Sequence, residues 1–345
     1  MSADEAYGLA CQGSALLWRG DFQNARQLLI ALASRNDRQA RKPSKGDTPL
    51  QSPAERFHLH RQAQSQRART LGMLLIELDA DYGIALRRAP DIRQACGEAY
   101  GPADAPSVAS LRELLGVIGA HEWRTTGIDI PAIGGRIHPH YGVFAPIRGE
   151  YVDLVAKTPL TALPSTFSVA FDIGTGTGVL AAVLARRGIQ RVVATDLDPR
   201  ALACARENIQ RLGFQKQVDV VAADLFPEGR AALVVCNPPW IPARPSAPIE
   251  RGIYDPESHM LHGFLNALPD HLEPGGEAWL ILSDLAEHLG LRSRADLLAA
   301  FDAAGLRVVD RSDVWPMHPK AQDPTDPLHA ARAAEVTSLW RLALR

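Results

Sequence analysis

The sequence predicts an α/β fold, in which a mostly parallel sheet covered by helices follows a helical N-terminal domain and a connecting β-hairpin. From Val169 onward, strand-like and helical runs alternate in the order VAFDI, GVLAAVLARRG, RVVATD, PRALACARENIQRLG, VDVVAAD, ALVVC, HGFLNALPDHLEPGG and EAWLILS. This order is typical of a parallel sheet with helices on both faces. Before residue 121 the apolar residues follow helical spacing instead. We therefore expect two domains, residues 1–122 and residues 123–345.

The N-terminal domain is predicted to be helical along most of its length. Apolar spacing over residues 6–34 fits two helices, with Asp21 as the N-cap of the second. Residues 36–53 are polar, contain prolines and have no period, which is typical of a linker. A long helix is expected over residues 55–78, with an apolar stripe of Leu71, Leu74, Leu75 and Leu78. Helical signals then continue past Leu115.

A β-hairpin is predicted where the chain passes from the helical domain to the sheet. The stretch GIDIPAIGGRIHPHYGVF alternates apolar and polar residues on either side of Gly134 and Gly135. Adjacent glycines between two alternating segments are a hairpin signal. The hairpin is therefore expected to connect the two domains.

Composition indicates a globular protein with no strong preference for a charged partner. The 345 residues are 46% hydrophobic and 22% charged, and the formal net charge is -2. No apolar stretch approaches the roughly 20 residues of a membrane span, and the start MSADEAYG lacks the pattern of a signal peptide. The four cysteines form no C-x-x-C pair, which favours a reduced protein. A cytoplasmic location is expected.

Three glycines follow the first strand of the predicted sheet at alternate positions. In the stretch DIGTGTG, Asp172 precedes Gly174, Gly176 and Gly178. Ligands of open parallel sheets bind where strands end, and glycine lets a ligand approach the backbone closely. A dinucleotide fingerprint would have its third glycine at position 179, which is Val179, and no G-K-[ST] phosphate loop is present. The glycines therefore predict a ligand site of a different kind.

The next three strands also end in residues suited to a binding or catalytic site. Asp196 ends the run VVATD and Asp224 ends the run VVAAD, while the fourth strand leads into Asn237, Pro238, Pro239 and Trp240. A carboxylate at the end of the second strand is placed to accept the hydroxyls of a ribose. Because the carboxyl ends of parallel strands lie at one edge of a sheet, we expect these residues to meet in a single crevice.

With these residues, the sequence from about residue 126 to residue 345 resembles the class I S-adenosylmethionine-dependent methyltransferases, in the branch that methylates planar nitrogen. The resemblance is carried by FDIGTGTGVLA, ATDLDPRALACARENI, AADLF, NPPW and LEPGGE. It implies a Rossmann-like, seven-stranded sheet with an antiparallel last strand, and S-adenosylmethionine as the cofactor. It also implies a cofactor site in which the glycines pack on the amino-acid part of the cofactor, Asp196 holds the ribose and Asp224 with Leu225 borders the adenine: Asp172, Gly174, Thr175, Gly176, Gly178, Asp196, Asp224, Leu225 and Asn237.

The N-P-P-W turn is the expected catalytic element, made of Asn237, Pro238, Pro239 and Trp240. An amide or aromatic amino nitrogen delocalises its lone pair, so the enzyme must release that lone pair and aim it at the methyl group. The Asn237 side-chain carbonyl and the Pro238 backbone carbonyl would each accept one N–H of the target and stabilise its developing positive charge. Proline makes the turn rigid, and Trp240 would stack on the planar target.

The sequence leaves the methyl acceptor open. The order of helical domain, hairpin and sheet looks like the protein-glutamine methyltransferases that modify release factors, although those enzymes carry tyrosine at the position of Trp240 and an arginine-proline-glutamate stretch where residues 146–150 read PIRGE. N-P-P with an aromatic residue is shared with methyltransferases of nucleobase amino groups in DNA and RNA. Residues 1–122 are the expected substrate-recognition domain. Their basic region is either a phosphate-contacting surface or, as basic stretches more often are, a solvated loop and helix face: Arg35, Arg38, Arg41, Lys42, Lys45, Arg56, Arg61, Arg67 and Arg69.

Two other functions fit part of the pattern. A nicotinamide-dependent oxidoreductase is disfavoured by the glycine spacing, and a non-catalytic cofactor-binding adaptor would have no need of Asn237. The histidine pairs His138 with His140 and His259 with His262 lack a matching third ligand, so no metal is expected.

Overall fold

A computed structural model describes residues 1–40, 52–160, 169–246, 248–316 and 323–345 of the chain. The chain forms two compact units, Met1–Thr125 and Thr126–Arg345. The division lies three residues beyond the expected one after residue 122, in the last turn of a helix that ends at Thr126. No helix of the described segments is long and apolar enough to cross a membrane.

The described residues of the first unit form five helices and a three-stranded sheet, in which the central strand is parallel to one neighbour and antiparallel to the other. The elements are α1 (Ala3–Cys11), β1 (Leu16–Leu17), α2 (Phe22–Ala40), α3 (Pro53–Leu71), β2 (Leu74–Leu78), α4 (Arg93–Tyr100), β3 (Ser107–Ser110) and α5 (Leu111–Thr126). Asp21 caps α2 as predicted, since its carboxylate accepts hydrogen bonds from the amides of Gln23 and Asn24.

The prediction of one helix over residues 55–78 was wrong in its last part. The helix α3 ends at Leu71, and residues 74–78 form the strand β2. Leu74, Ile76 and Leu78 are buried while Glu77 is exposed, so the true period of this segment is two. Leucines spaced by three and four residues fit a helical stripe, but they also fit a strand alternation in part. The pairing of this segment with β1 and β3 makes it a strand.

The linker predicted over residues 36–53 is shorter at both ends. The helix α2 continues to Ala40, and Ser52 forms a capping box with Glu55 before α3 begins at Pro53. Residues 41–51, which include Arg41, Lys42 and Lys45 of the predicted basic region, lie outside the described residues.

The second unit begins with the predicted hairpin, and this prediction is confirmed. The strands β4 (Ile128–Ile130) and β5 (Gly135–Ile137) pair in antiparallel register, with Ile128 opposite Ile137. A 3₁₀ turn (Pro131–Ile133) and Gly134 connect them, and Gly134 adopts a left-handed conformation with φ of 59°. The helix α6 (Glu150–Lys157) then leads toward the main sheet.

The main sheet has seven strands in the order β11-β12-β10-β9-β6-β7-β8. The strand β12 is antiparallel to its neighbours β10 and β11, and the β9, β6, β7 and β8 neighbours pair in parallel. This confirms the Rossmann-like, mostly parallel fold. The elements are β6 (Val169–Ile173), α7 (Val179–Arg186), β7 (Arg191–Asp196), α8 (Pro199–Arg211), β8 (Val218–Ala222), β9 (Ala231–Cys236), α9 (His259–His271), β10 (Leu272–Ser283), α10 (Leu285–His288), α11 (Arg294–Ala303), β11 (Leu306–Val314), α12 (His329–Ala334) and β12 (Thr337–Leu344).

The central strands are buried on both faces, which explains their nearly continuous apolar runs. Along β9, Leu233 and Val235 pack on the face covered by α7 and the hairpin, while Val234 and Cys236 pack on the opposite face with α9 and α11. Every residue of β9 is buried. Polar side chains are therefore concentrated where these strands end, and that edge carries the candidate site.

Candidate functional site

A cavity of about 780 Å³ lies at the carboxyl ends of β6, β7 and β9 and beside the loop after β8. Most residues predicted to form the site line it: Asp172, Gly174, Thr175, Gly176, Asp196, Asp224, Leu225, Asn237 and Pro239. Gly178, Pro238 and Trp240 lie outside this lining. Residues of α9 and of the segment before it also line the cavity, among them Met260 and Gly263.

The three glycines have positive φ angles, but a side chain at each would meet different surroundings. A Cβ at Gly174 would lie 2.7 Å from Cε of Met260, and one at Gly178 would lie 3.2 Å from Cα of Ala205 on α8. A Cβ at Gly176 would have no neighbour within 4 Å. Gly178 thus permits the helices to pack, whereas Gly176 leaves the backbone open toward the cavity. The open backbone and the acidic lining fit the adenosine and amino-acid parts of S-adenosylmethionine.

Asp172 is a buried carboxylate at the end of β6 that holds the glycine loop in place. Its Oδ2 atom accepts hydrogen bonds from Oγ1 of Thr175 at 2.6 Å and from the amide of Ala181 at 3.0 Å. Burial raises the pKa of Asp172 to about 6, and the two hydrogen bonds act in the opposite direction. The side chain therefore connects the loop to the first turn of α7.

Asp196 connects the glycine loop to the second strand end. Its carboxylate accepts hydrogen bonds from the amide of Gly176 at 3.0 Å and from the amide of Asp198 at 2.9 Å. Asp198 in turn caps α8 by accepting from the amide of Arg200. Asp196 is half-buried and lines the cavity, so its carboxylate is available to a ligand from that side.

The third strand end is shaped by a strained residue. Leu225 has a φ of 64°, a left-handed conformation that a leucine rarely adopts. Its carbonyl accepts a hydrogen bond from Oγ1 of Thr195 at 2.5 Å, which ties this loop to the end of β7. Asp224, directly before it, is exposed and lines the cavity.

The N-P-P-W turn follows β9 and contains an internal hydrogen bond. The indole Nε1 of Trp240 donates to Oδ1 of Asn237 at 2.9 Å, which fixes the direction of the Asn237 side chain. The Trp240 side chain is half-buried and packs against both apolar layers of the unit. The structure thus gives Trp240 a supporting position beside Asn237, whereas its stacking role stays a prediction.

Sequence reasoning missed two residues that support this turn. The guanidinium of Arg148 lies 5.8 Å from the centre of the Trp240 ring, and its Nη2 is 3.3 Å from Oε1 of Glu335. Glu335 is buried and also accepts a hydrogen bond from Oγ of Ser283 at 2.7 Å. No local pattern in the sequence relates positions so far apart. A glutamate directly before an apolar, strand-like run was the one available signal.

The histidines and cysteines do not form a metal site in the described part of the chain, where no group of three potential ligands is found. The Nε2 atom of His140 lies 3.0 Å from Glu207, and the backbone amide of His138 donates to Asn208. All four cysteines are free thiols.

Comparison with known proteins relates this unit to methyltransferases. Residues 134–304 match the methyltransferase small domain family. A release factor glutamine methyltransferase of Cereibacter sphaeroides is 33% identical over 160 residues, which are 42% of this chain and 55% of that protein. A ribosomal protein L11 methyltransferase of Pelotomaculum thermopropionicum is 38% identical over 146 residues, which are 41% of this chain and 39% of that protein.

The matched segment covers part of each protein only, because the chain spans 55% and 39% of the lengths of these two relatives. A solved methyltransferase structure from Pyrococcus furiosus, 21% identical, covers 65% of this chain and 96% of its own, with a TM-score of 0.43. The family match and the names of the relatives indicate an S-adenosylmethionine-dependent methyltransferase domain over residues 134–304.

Proposed function

We propose that this chain methylates a planar nitrogen of a macromolecular acceptor, with S-adenosylmethionine as the methyl donor. The observation that carries the proposal is the position of Asn237, which lines the same cavity as the glycine loop and Asp196. A non-catalytic adaptor that only binds the cofactor would need the glycine loop and Asp196, but it would not need a side-chain carbonyl beside them. Asn237 therefore favours an enzyme.

The cofactor would be held by the residues that follow the first three strands. We assign Gly174, Thr175 and Gly176 to its amino-acid part, Asp196 to its ribose hydroxyls and Asp224 with Leu225 to its adenine. When bound, S-adenosylmethionine supplies a methyl group already activated by its positive sulfur. The protein's own task is then to orient the acceptor nitrogen.

Asn237 is proposed to accept a hydrogen bond from the acceptor N–H through Oδ1, the same oxygen that accepts from Trp240. A carbonyl oxygen has two acceptor positions, and the Trp240 indole occupies one of them. The other remains for the target, so the same atom is oriented by one hydrogen bond and available for a second. The Pro238 backbone carbonyl is the proposed second acceptor. Both would stabilise the positive charge that develops on the nitrogen.

A glutamine side-chain amide is our first candidate for the acceptor. Two relatives, from Cereibacter sphaeroides and Mycolicibacterium smegmatis, are named release factor glutamine methyltransferases, and the second is 40% identical over 126 residues. A nucleobase amino group is our second candidate for the acceptor. Trp240 favours it, because a large indole offers more stacking area to a base than a smaller side chain does.

The test is methyl transfer from radiolabelled S-adenosylmethionine to separate protein, RNA and DNA fractions of the host, with the purified 345-residue chain. We expect label in one fraction. Asn237→Ala should lower the rate by roughly 10²–10³ while calorimetry shows nearly unchanged cofactor affinity, because one preorganised polar partner of the transition state is lost. Asn237→Asp should retain more activity than the alanine variant, since a carboxylate still accepts hydrogen bonds.

Two results would contradict this proposal. One is label in no fraction despite cofactor binding, which would favour the adaptor. The other is wild-type turnover of both Asn237 variants on the labelled acceptor, which would make the N-P-P-W turn purely structural.

A further inference from the structure

A second cavity, of about 510 Å³, lies in the Thr126–Arg345 unit away from the cofactor cavity. The helices α7 and α8 begin at the glycine loop and at Asp198, and they end beside this second cavity at Arg186 and Arg211. An eight-residue helix such as α7 is about 12 Å long, so the two cavities lie at opposite ends of the same helices. We call the second cavity the arginine pocket, after Arg136, Arg186 and Arg211 in its lining.

Two glycines of the hairpin make room for this pocket. A Cβ at Gly134, where φ is 59°, would lie 3.1 Å from Nη2 of Arg186. A Cβ at Gly135 would lie 2.7 Å from Cδ2 of Leu212. Any side chain at these positions would press on the guanidinium or on the wall of the pocket. The apolar part of the lining comes from Ile133, Leu212 and Phe214.

Among the described residues, two of the three guanidinium groups have no counterion. Within the described ranges, neither Arg186 nor Arg211 forms a hydrogen bond or an ion pair. Arg136 donates one hydrogen bond, from Nη1 to the carbonyl of Thr126 at 3.0 Å. Arg191 of the same unit, which is exposed as the three pocket arginines are, lies 2.9 Å from Asp219. Pairing with a carboxylate is thus available to surface arginines here, and the pocket arginines do not use it.

The charges around the pocket sum to a positive value. The carboxyl ends of α7 and α8 contribute about half a negative charge each, and arginines at helix ends are favourable for that reason alone. Asp129 lies opposite Arg136 in the hairpin and contributes one more negative charge. Three guanidinium groups therefore leave a net charge of about +1 after both helix ends and Asp129 are counted. The negative charge of the two helix ends is therefore too small to balance all three guanidinium groups.

We propose that the arginine pocket binds a phosphate group. Planar guanidinium groups bind phosphate oxygens through paired hydrogen bonds, and arginines without counterions that line one cavity supply several such pairs. The phosphate would come either from a nucleic-acid backbone or from a small phosphorylated molecule. This site is separate from the proposed methyl transfer and does not depend on it.

The test uses the full chain in a buffer without phosphate and two probes. One probe is inorganic phosphate, measured by calorimetry, and the other is a fluorescein-labelled single-stranded RNA, measured by anisotropy. Arg186→Gln and Arg211→Gln should each weaken binding at least tenfold, and Arg186→Lys should restore part of it because the charge remains. Arg191→Gln is the matched control, since it removes an exposed arginine outside the pocket, and it should have less than a twofold effect.

The two probes also separate the sources of the phosphate. Binding of RNA but not of inorganic phosphate, with loss in the pocket variants, assigns the site to a nucleic-acid backbone. Binding of inorganic phosphate with the same loss assigns it to a small ligand. The proposal is overturned if neither probe binds, or if the pocket variants bind as the Arg191→Gln control does. Circular dichroism and cofactor affinity should stay unchanged in every variant.

Discussion

Arg148 connects a buried acid to the turn that carries Asn237. Its guanidinium lies over the Trp240 ring and pairs with Glu335, while Trp240 donates to Oδ1 of Asn237. The direction of the Asn237 carbonyl therefore depends on a chain of contacts that ends in the C-terminal part of the sheet. A cation over an aromatic ring contributes roughly 0.5–2 kcal/mol, depending on its exposure.

We expect Arg148→Gln to lower kcat about tenfold and to leave cofactor affinity within twofold. The reason is that Trp240 loses its support and Asn237 samples directions that do not face the acceptor, a loss of about 1.4 kcal/mol in the transition state. Arg311→Gln is the matched control, because Arg311 lies 5.0 Å from the Trp340 ring at the far edge of the sheet. Equal effects of the two substitutions on kcat would refute a positioning role, and Arg148→Lys should recover part of the rate.

The raised pKa of Asp172 predicts how stability changes with pH. Because the folded-state pKa of about 6 lies above the ordinary aspartate pKa of 3.8, the folded protein binds this proton more tightly than the unfolded chain does. The contribution is favourable at low pH and is lost as pH rises through about 6. Between pH 4.5 and 7.0 we expect the wild type to lose about 2 kcal/mol more than Asp172→Asn does. Urea unfolding at both pH values measures the difference, and parallel losses in the two proteins would contradict it.

The glycine loop is the element whose position the sequence predicts best. Alternate glycines after a strand indicated that a ligand approaches the backbone closely. The structure shows in addition that the glycines have different surroundings. Gly178 lies against the backbone of α8, whereas Gly176 faces open space. Spacing in the sequence predicts where such a loop lies, but only the packing of α7 on α8 distinguishes its members.

Substitutions in this loop should separate stability from binding. Both Gly178→Ala and Gly176→Ala impose about 1–2 kcal/mol of backbone strain, since both residues have positive φ. Gly178→Ala adds a 3.2 Å contact with Cα of Ala205, so we expect it to lower the melting temperature more. Gly176→Ala places its Cβ toward the cavity and should weaken cofactor binding more. Thermal unfolding and calorimetry compare the two, and the opposite order in either measurement would show that the assignment is wrong.

Strand β2 shows where sequence reasoning at the level of elements fails. Leu71, Leu74, Leu75 and Leu78 fit a helical stripe, yet the chain leaves the helix at Gly72 and pairs with β1 and β3. Periodicity describes a segment alone, whereas pairing depends on partners distant in the sequence. The pair of Arg148 with Glu335 escaped prediction for the same reason. The main sheet was predictable because each of its central strands is apolar on both faces and needs no particular partner to be recognised.

At the scale of the whole molecule, the predicted basic region is less cationic than its sequence indicates. Arg35 pairs with Asp4 at 2.5 Å and Arg67 pairs with Asp37 at 2.9 Å, both within the first unit. These pairs leave fewer arginines of that unit for phosphates. The proposed role of residues 1–122 in recognising the acceptor therefore needs a test that does not assume nucleic acid.

Removal of the first unit provides that test. All residues that line the cofactor cavity belong to the second unit, so we expect a fragment of residues 127–345 to bind S-adenosylmethionine within about threefold of the full chain. If the first unit recognises the acceptor, the fragment should lose at least tenfold in kcat/KM, mainly through KM, because the binding energy of the acceptor is lost while Asn237 and its support remain. Calorimetry establishes that the fragment is folded and binds the cofactor, and initial rates on the labelled acceptor then measure the loss. A fragment that binds the cofactor and methylates the acceptor as fast as the full chain would show that recognition lies within the catalytic unit.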